Sequence, residues 1–423
     1  MTRPAIPALA IMAMWCQSLP LRAEVADADK MNAAWGIPLF LAEGSTWDED
    51  ADAVAQRLGL PEESRTSAES SFRLYPSEVT RVLGRRPYSI ALTAAQGRVT
   101  GLSIIFANKG DSLGPSATAT PGPREAGPTT RDLRDYRKAI ADDERALDEL
   151  LGTVAGEAAP ERTGQGSKLT ERAKRRDWRD HALLLVSVRD EYVAVRVVPP
   201  SDLDEAALVK KVPPAELREK LQARVERSPN GDVILRDLPM VDQGPKGFCV
   251  PATMERMLRY LGIPADMYLL AMAANTRPGG GTTINDLLWA VGDTVRRHGR
   301  RIQTESGNPD VNHVSRWIEA GLPILWAINT SDAVDQRINE HTRQRAGVTD
   351  WKAWNDGLKP ARREAKKLSR EASEGHVCLI VGFNRETGEI ALSDSWGPGY
   401  AERWTTVEEA AAISQGSMAV VTW

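Results

Sequence analysis

The chain has 423 residues, of which 42% are hydrophobic and 26% are charged, and its formal net charge at pH 7 is -4. This length allows two or three domains, and the slightly acidic balance gives no electrostatic support for a nucleic-acid partner. After the N-terminal segment the sequence holds no apolar run as long as a membrane-spanning helix, so we expect no integral membrane span there.

The N-terminal segment has the pattern of a secretory signal peptide. Arg3 gives a positive start, an apolar run extends from Ala5 to Trp15, and the small residue Ala23 is a candidate end of a cleavage site. We therefore predict a signal peptide over residues 1–23 and a secreted or periplasmic protein. The alternative is an N-terminal anchor that stays attached.

Two stretches in the first half of the chain are each predicted to form a small α/β module. Residues 24–111 combine a short helix with two strands around a Gln-Gly turn, and residues 131–228 combine a charged helix with a hairpin. Residues 112–130, rich in Pro, Gly, Ser and Thr, are predicted to form a linker. Residues 229–423 are predicted to form one domain in which helices come first and strands follow.

The stretch VDQGPKGFCVPATMERML, residues 241–258, places Cys249 at the predicted start of a helix. Pro251 suits a first helical turn, and apolar residues from Val250 to Leu261 recur at helical spacing. The unpaired N–H groups and the macrodipole at a helix N-terminus stabilise an anion, so we expect a lowered thiol pKa and a nucleophilic thiolate. The alternative is a buried structural cysteine.

Gln243 lies six residues before Cys249, with two glycines between them. An amide side chain beside a backbone N–H at the nucleophile is the kind of donor pair that a developing oxyanion requires. Glycines let the backbone approach closely at such a place. We therefore predict that Gln243 and the Cys249 N–H form an oxyanion-binding pair.

A nucleophilic cysteine needs a base, and His376 is the best placed of the five histidines. The sequence GHVCLIVGF predicts an apolar strand that starts at His376, and IALSD predicts the returning strand that ends at Asp394. Because a hairpin brings the start of one strand beside the end of the next, Asp394 is predicted to orient the imidazole. His298, among arginines, is expected to be exposed.

A glutamine six residues before a cysteine, a strand-borne histidine and the sequence DSWG at 394–397 together resemble the papain-like cysteine peptidases. The sequence is more similar still to their bacterial branch related to the bacteriocin leader-processing, or double-glycine, peptidases. The resemblance covers roughly residues 238–423. It implies an α+β fold, in which a papain-like domain with a helical part and an antiparallel sheet follows the two small α/β modules.

The same resemblance implies a cysteine-type peptidase that acts on a peptide or protein substrate through a Cys-His-Asp triad, with neither a metal nor an organic cofactor. It implies Cys249 as nucleophile, His376 as base and Asp394 as the residue that orients the base. An amidase or transamidase with the same triad is an open alternative. A non-catalytic binding module that kept the fold is another.

Three more residues are predicted on the substrate side of the site. In the family a glycine-rich segment pairs with the substrate backbone, which implies this role for Gly280 and Gly281. An ordinary loop is the alternative for these two glycines. Trp396 is predicted to shield the contact between His376 and Asp394 from water.

Overall fold

The computed structural model describes residues 27–113, 128–206, 211–245, 247–277 and 281–423. The predicted signal peptide lies outside these ranges, as does most of the predicted linker. In the described residues the fold mixes helices with two antiparallel sheets. None of the helices in these ranges is both long enough and apolar enough to cross a membrane.

The elements are numbered in chain order. The strands are β1 (Glu62–Arg65), β2 (Glu69–Leu74), β3 (Ser89–Ala95), β4 (Arg98–Asn108), β5 (Ala159–Gln165), β6 (Leu169–Trp178), β7 (His181–Val188), β8 (Tyr192–Val198), β9 (Val225–Arg227), β10 (Asp232–Leu235), β11 (Arg301–Ser306), β12 (Ile324–Thr330), β13 (Glu374–Asn384), β14 (Glu389–Ser393), β15 (Arg403–Thr406) and β16 (Ser414–Thr422). The helices are α1 (Ala28–Trp35), α2 (Ala51–Leu58), α3 (Lys109–Leu113), α4 (Thr130–Ala155), α5 (Pro200–Ala206), α6 (Pro214–Gln222), α7 (Cys249–Tyr260), α8 (Met267–Ala273), α9 (Ile284–Arg297), α10 (Val311–Ile318), α11 (Asp332–Arg345), α12 (Trp351–Gly357), α13 (Lys359–Glu371) and α14 (Val407–Ile413).

The first eight strands form one sheet, called the N-terminal sheet below, in the order β1-β2-β3-β4-β8-β7-β6-β5. Both predicted hairpins are present in it, and β4 of the first pairs with β8 of the second, for example Leu102 with Val197. The prediction of two separate modules is therefore not confirmed. A hairpin alone leaves unpaired backbone groups along its edges, and joining β4 to β8 satisfies one edge of each.

The N-terminal sheet is covered on both faces. Along β4, Ile104 and Phe106 face a core shared with α1, α2 and α4. Ile105, which lies between them, faces the opposite core with Phe248 and Tyr268, residues from the second half of the chain. This alternation follows from the two-residue period of a strand. The N-terminal sheet is therefore packed directly against the region that contains Cys249.

The second sheet runs β11-β16-β12-β13-β10-β9, and β14 joins β13 to β15. Strands β13 and β14 form the predicted hairpin, with Leu379 opposite Ser393. Helix α7 packs on β13, and the Thr253 hydroxyl donates to the Val377 carbonyl at 3.0 Å. This contact fixes the start of α7 against the strand that carries His376.

Helices α11 to α13 form an insertion between β12 and β13. Arg345 in α11 is buried and donates to the carboxylates of Asp232 and Glu389. The insertion is therefore attached to the sheet through a buried guanidinium and its carboxylate partners.

Candidate active site

Cys249 is the first residue of α7, which confirms the predicted helix start. Its side chain is half-buried and its thiol is free. The sulfur is hydrogen-bonded to the His376 imidazole and to the backbone of Val377 and Val250. Burial on its own raises the pKa of the Cys249 thiol, but the His376 partner and these backbone bonds outweigh it and lower the pKa.

His376 lies two residues inside the start of β13, and Asp394 follows the last residue of β14. The hairpin brings them together, with His376 Nε2 at 2.8 Å from Asp394 Oδ1 and both side chains buried. Because Asp394 engages Nε2, the ring presents Nδ1 to the Cys249 thiol. The three side chains therefore form one continuous hydrogen-bonded chain.

The charges in this chain favour an ion pair. Burial lowers the pKa of His376, but the hydrogen bonds to Asp394 and Cys249 outweigh it and raise the pKa to about 10. Burial raises the pKa of Asp394, but the charge of Arg403 and the bond to His376 lower it to about 2. A thiolate, an imidazolium and a carboxylate in sequence are the protonation states that these shifts support.

Arg403 is a site residue that the sequence reasoning missed. It is buried on β15, and its Nε donates to Asp394 Oδ2 at 2.8 Å while a second nitrogen donates to the same oxygen. The remaining terminal nitrogen donates to Asp335 and Asn339 of α11, at 3.0 and 3.2 Å. No motif in the sequence around Arg403 marks it as a partner of Asp394, so only the fold reveals this contact.

Trp396 stacks on His376, with ring centroids 4.5 Å apart and an interplanar angle of 27°. Tyr400 meets the Trp396 ring edge-on at 5.4 Å. The Arg403 guanidinium lies 5.1 Å from the Trp396 centroid. Trp396 therefore packs against the His376 ring. Its predicted role, to shield the contact between His376 and Asp394 from water, stays a prediction.

Gln243 is tied to the segment that carries Asp394. The Ser395 hydroxyl donates to Gln243 Oε1 at 2.8 Å, and the Gln243 backbone N–H donates to the Ser395 carbonyl at 2.8 Å. Because the Gln243 amide oxygen accepts the Ser395 hydroxyl hydrogen bond, the amide N–H groups of Gln243 point away from Ser395. This orientation leaves the donor end of Gln243 for another acceptor, as an oxyanion role requires.

The two glycines predicted to contact the substrate are the last of the predicted site residues. Gly280 lies outside the described residues. Gly281 is exposed, and a Cβ built on it would meet no atom within 4 Å. Their predicted contact with a substrate backbone stays a prediction.

His298 and Cys378 have structural surroundings. His298 was expected to be exposed, and this is wrong: it is 4% exposed at the end of α9, with Nδ1 at 3.0 Å from the Thr294 carbonyl. The ring folds back onto the last turn of the helix, where the Thr294 carbonyl also accepts the His298 backbone N–H at 3.2 Å. Burial raises the pKa of the Cys378 thiol well above its ordinary value, in keeping with a packing role. Across the described ranges, no group of three or more His, Cys, Asp or Glu side chains is arranged to hold a metal ion.

A cavity of about 390 Å³ lies between the N-terminal sheet and α8, lined in part by Leu102, Arg196 and Asp266. Cys249, His376 and Asp394 do not line it. Its walls are mostly apolar, and Arg196 already lies beside the carboxylates of Glu171 and Asp266. The reactive groups therefore lie elsewhere than in this cavity.

Comparison with known families matches residues 235–416 to the model described as the Peptidase_C39 like family. No curated protein matches the chain. Among solved structures, the chain is similar to the peptidase domain of Streptococcus ComA, a bi-functional ABC transporter involved in a quorum sensing pathway. That likeness has 11% identity and a TM-score of 0.28 over 43% of this chain and 96% of the other.

Proposed function

We propose that this protein is an exported cysteine peptidase that hydrolyses peptide bonds through a Cys249, His376 and Asp394 triad, and the match of residues 235–416 to the Peptidase_C39 like family model supports the proposal. The observation that carries the proposal is the hydrogen-bonded chain from the half-buried Cys249 through His376 to Asp394, the last two of which are buried. Its lowered thiol pKa and raised imidazole pKa are what nucleophilic catalysis by a cysteine needs. A binding module has no use for such a pair.

In the first step the Cys249 thiolate attacks the carbonyl carbon of the scissile peptide. A carbon–sulfur bond forms while the carbonyl π electrons move onto oxygen. The Gln243 amide and the Cys249 backbone N–H donate to that oxyanion. These donors matter most in the transition state, when the negative charge has developed.

The tetrahedral intermediate then breaks its carbon–nitrogen bond. His376 gives its Nδ1 proton to the leaving amine, and the acyl group remains on Cys249 as a thioester. A water molecule next gives a proton to His376 and attacks the thioester carbon. The second intermediate expels the Cys249 thiolate and releases the carboxylic acid, which restores the ion pair.

Asp394 holds the imidazole in one orientation through both steps and stabilises its charged form. Arg403 in turn holds Asp394, since it donates to the carboxylate oxygen that His376 leaves free. Arg403 touches neither the substrate nor the reacting atoms in this scheme. It is a positioning residue.

The test compares the full chain with Cys249→Ala on a peptide library read by mass spectrometry, with an added amine to detect acyl transfer. We expect cleaved peptides from the wild type and none from the variant, with unchanged circular dichroism. Cys378→Ala is the matched control and should retain cleavage. Iodoacetamide at neutral pH should label Cys249 and spare the buried Cys378. Equal cleavage by Cys249→Ala would refute the proposal, and amide products alone would replace hydrolysis by transfer.

A further inference from the structure

The segment that carries Gln243 is held by the N-terminal sheet. Glu63 of β1 is 4% exposed, and its Oε1 accepts the Asp242 backbone N–H at 2.7 Å. The Tyr75 hydroxyl, just after β2, donates to the Asp242 carbonyl at 2.6 Å. Both backbone groups of the residue before Gln243 are thus bound by side chains more than 160 positions earlier, at separations of 179 and 167.

Gly244, on the other side of Gln243, lies against the Tyr75 ring. A Cβ built on Gly244 would come within 2.7 Å of that ring, and its φ of +73° is one that glycine adopts without strain. One of the two glycines between Gln243 and Cys249 is therefore explained by a close approach to the N-terminal sheet. The sequence alone does not show which residue Gly244 approaches.

The contacts continue upstream along the same segment. The Ser64 hydroxyl of β1 accepts the Met240 N–H at 2.8 Å, and Ser67 donates to Asp237 at 2.6 Å. On the opposite side, Gln243 is bound to Ser395. The segment therefore lies between the N-terminal sheet and the chain that carries Asp394.

Phe248, the residue before the nucleophile, is the second point of attachment. It is buried, and its ring lies so close to Gly110 of α3 that a Cβ there would come within 2.3 Å. Its other side meets Tyr268 edge-on, with centroids 5.4 Å apart. Asp242, just before Gln243, and Phe248, just before Cys249, are thus both held by the N-terminal half of the chain.

We propose that the N-terminal sheet is a positioning element of the active site, in which Tyr75 and Glu63 set the place of the Gln243 amide. The inference rests on the proposed function, because it assigns Gln243 to the oxyanion of that reaction. Between Asp242 and Phe248 the sequence contains two glycines, which add conformational freedom that must be removed before the amide is in position. The hydrogen bonds of Glu63 and Tyr75 with Asp242 remove this freedom without contact to the substrate.

The test is Tyr75→Phe, which deletes one hydroxyl and keeps the ring against Gly244. Tyr88→Phe is the matched control, since this half-buried tyrosine of the same half of the chain contacts Ser112 through its hydroxyl. The substrate probe is the p-nitrophenyl ester of N-acetylglycine, whose acyl transfer builds an oxyanion. The thiol probe is iodoacetamide, whose alkylation builds none. Hydrogen exchange of the peptide that covers residues 240–248 reports the segment directly.

For Tyr75→Phe we expect a kcat about 10- to 100-fold lower, a smaller change in KM and an unchanged alkylation rate of Cys249. Exchange of residues 240–248 should be faster, and Tyr88→Phe should match the wild type in every measurement. A purely structural role would lower alkylation and turnover together.

The failures of the two proposals are distinguishable. Ester turnover that is lost in Cys249→Ala but unchanged in Tyr75→Phe overturns this inference and leaves the peptidase intact. If the wild type has no Cys249-dependent turnover, the proposed function fails. In that case hydrogen exchange still tests this inference. If residues 240–248 exchange equally in Tyr75→Phe and in the wild type, the holding role of the N-terminal sheet is overturned as well.

Discussion

Arg403 and His376 share the two carboxylate oxygens of Asp394. His376 Nε2 lies 2.8 Å from Oδ1, and Arg403 Nε lies 2.8 Å from Oδ2. Because each oxygen has its own charged or chargeable partner, both the orientation of the carboxylate and its ionised form are stabilised. The guanidinium also reaches Asp335, so the insertion helix α11 is linked to the triad through one side chain.

The first prediction concerns Arg403→Met. This change removes the guanidinium from the buried carboxylate of Asp394 and from the half-buried carboxylate of Asp335, so the free energy of unfolding should fall by about 3–5 kcal/mol. Urea titration of both proteins measures it. Arg343→Met is the matched control on α11, because Arg343 is exposed and forms a surface ion pair with Glu340, and it should cost little. Equal losses in the two variants would mean that the buried pair contributes nothing of its own.

Arg403→Lys separates position from charge. Lysine keeps the cation but cannot place two donors on one carboxylate oxygen in the planar arrangement of a guanidinium. We therefore expect a stability between those of the wild type and Arg403→Met, and a reduced kcat on the N-acetylglycine ester. A kcat equal to that of the wild type would show that the charge of residue 403 suffices and its geometry does not matter.

A second prediction concerns Asp394→Ala and Asp394→Asn. The asparagine side chain can still accept a hydrogen bond from His376 through its carbonyl oxygen, whereas alanine cannot. Alanine should therefore lower kcat more than asparagine does, as measured on the same ester. If the two variants lose the same factor, or none, the orienting role of Asp394 is wrong.

The third prediction is a pH profile. The active ion pair requires a deprotonated Cys249, whose pKa is lowered by His376, and a protonated His376, whose pKa is raised to about 10 by Asp394 and Cys249 against the effect of burial. Cleavage of a peptide, whose leaving amine takes its proton from His376, should therefore remain high to alkaline pH and fall as pH rises through about 10. Alkylation of Cys249 should already be fast at neutral pH, where free cysteine used as a control reacts slowly. Alkylation that tracks free cysteine across the pH range would contradict the ion pair.

The same pKa shift has a consequence for stability. The pKa of His376 is raised from its ordinary 6.5 to about 10. The contribution of this shift to the free energy of unfolding is therefore fully present below pH 6.5 and is lost as pH rises through about 10. The free energy of unfolding of the wild type should therefore approach that of His376→Gln at high pH. A constant difference between the two proteins across this window would contradict the shift.

The fourth prediction concerns Gln243→Ala. Its amide contacts the oxyanion in the transition state more strongly than the ground-state carbonyl, so kcat should fall by about 10² to 10³ with a smaller change in KM. Alkylation of Cys249 by iodoacetamide should change much less, because that reaction builds no oxyanion. Should turnover and alkylation fall by the same factor, Gln243 would instead be holding the segment before Cys249.

The sequence by itself determined the local parts of the site. Proline and apolar periodicity marked the helix that starts at Cys249, and an apolar strand with its return marked the hairpin of β13 and β14. His376 and Asp394 are 18 positions apart, so hairpin geometry alone brings them together. Signals of this kind can be read because each depends on neighbouring residues.

Only the tertiary structure decided the rest. The pairing of β4 with β8, the burial of His298 and the contact of Arg403 with Asp394 leave no periodic pattern in the chain. The bonds of Glu63 and Tyr75 to Asp242 join residues 179 and 167 positions apart, and nothing local to either partner identifies the other. Such contacts depend on which strand edges and helix faces meet when whole elements pack. A polar group that becomes buried needs a hydrogen-bond partner, and that partner comes from the elements that the fold places beside it.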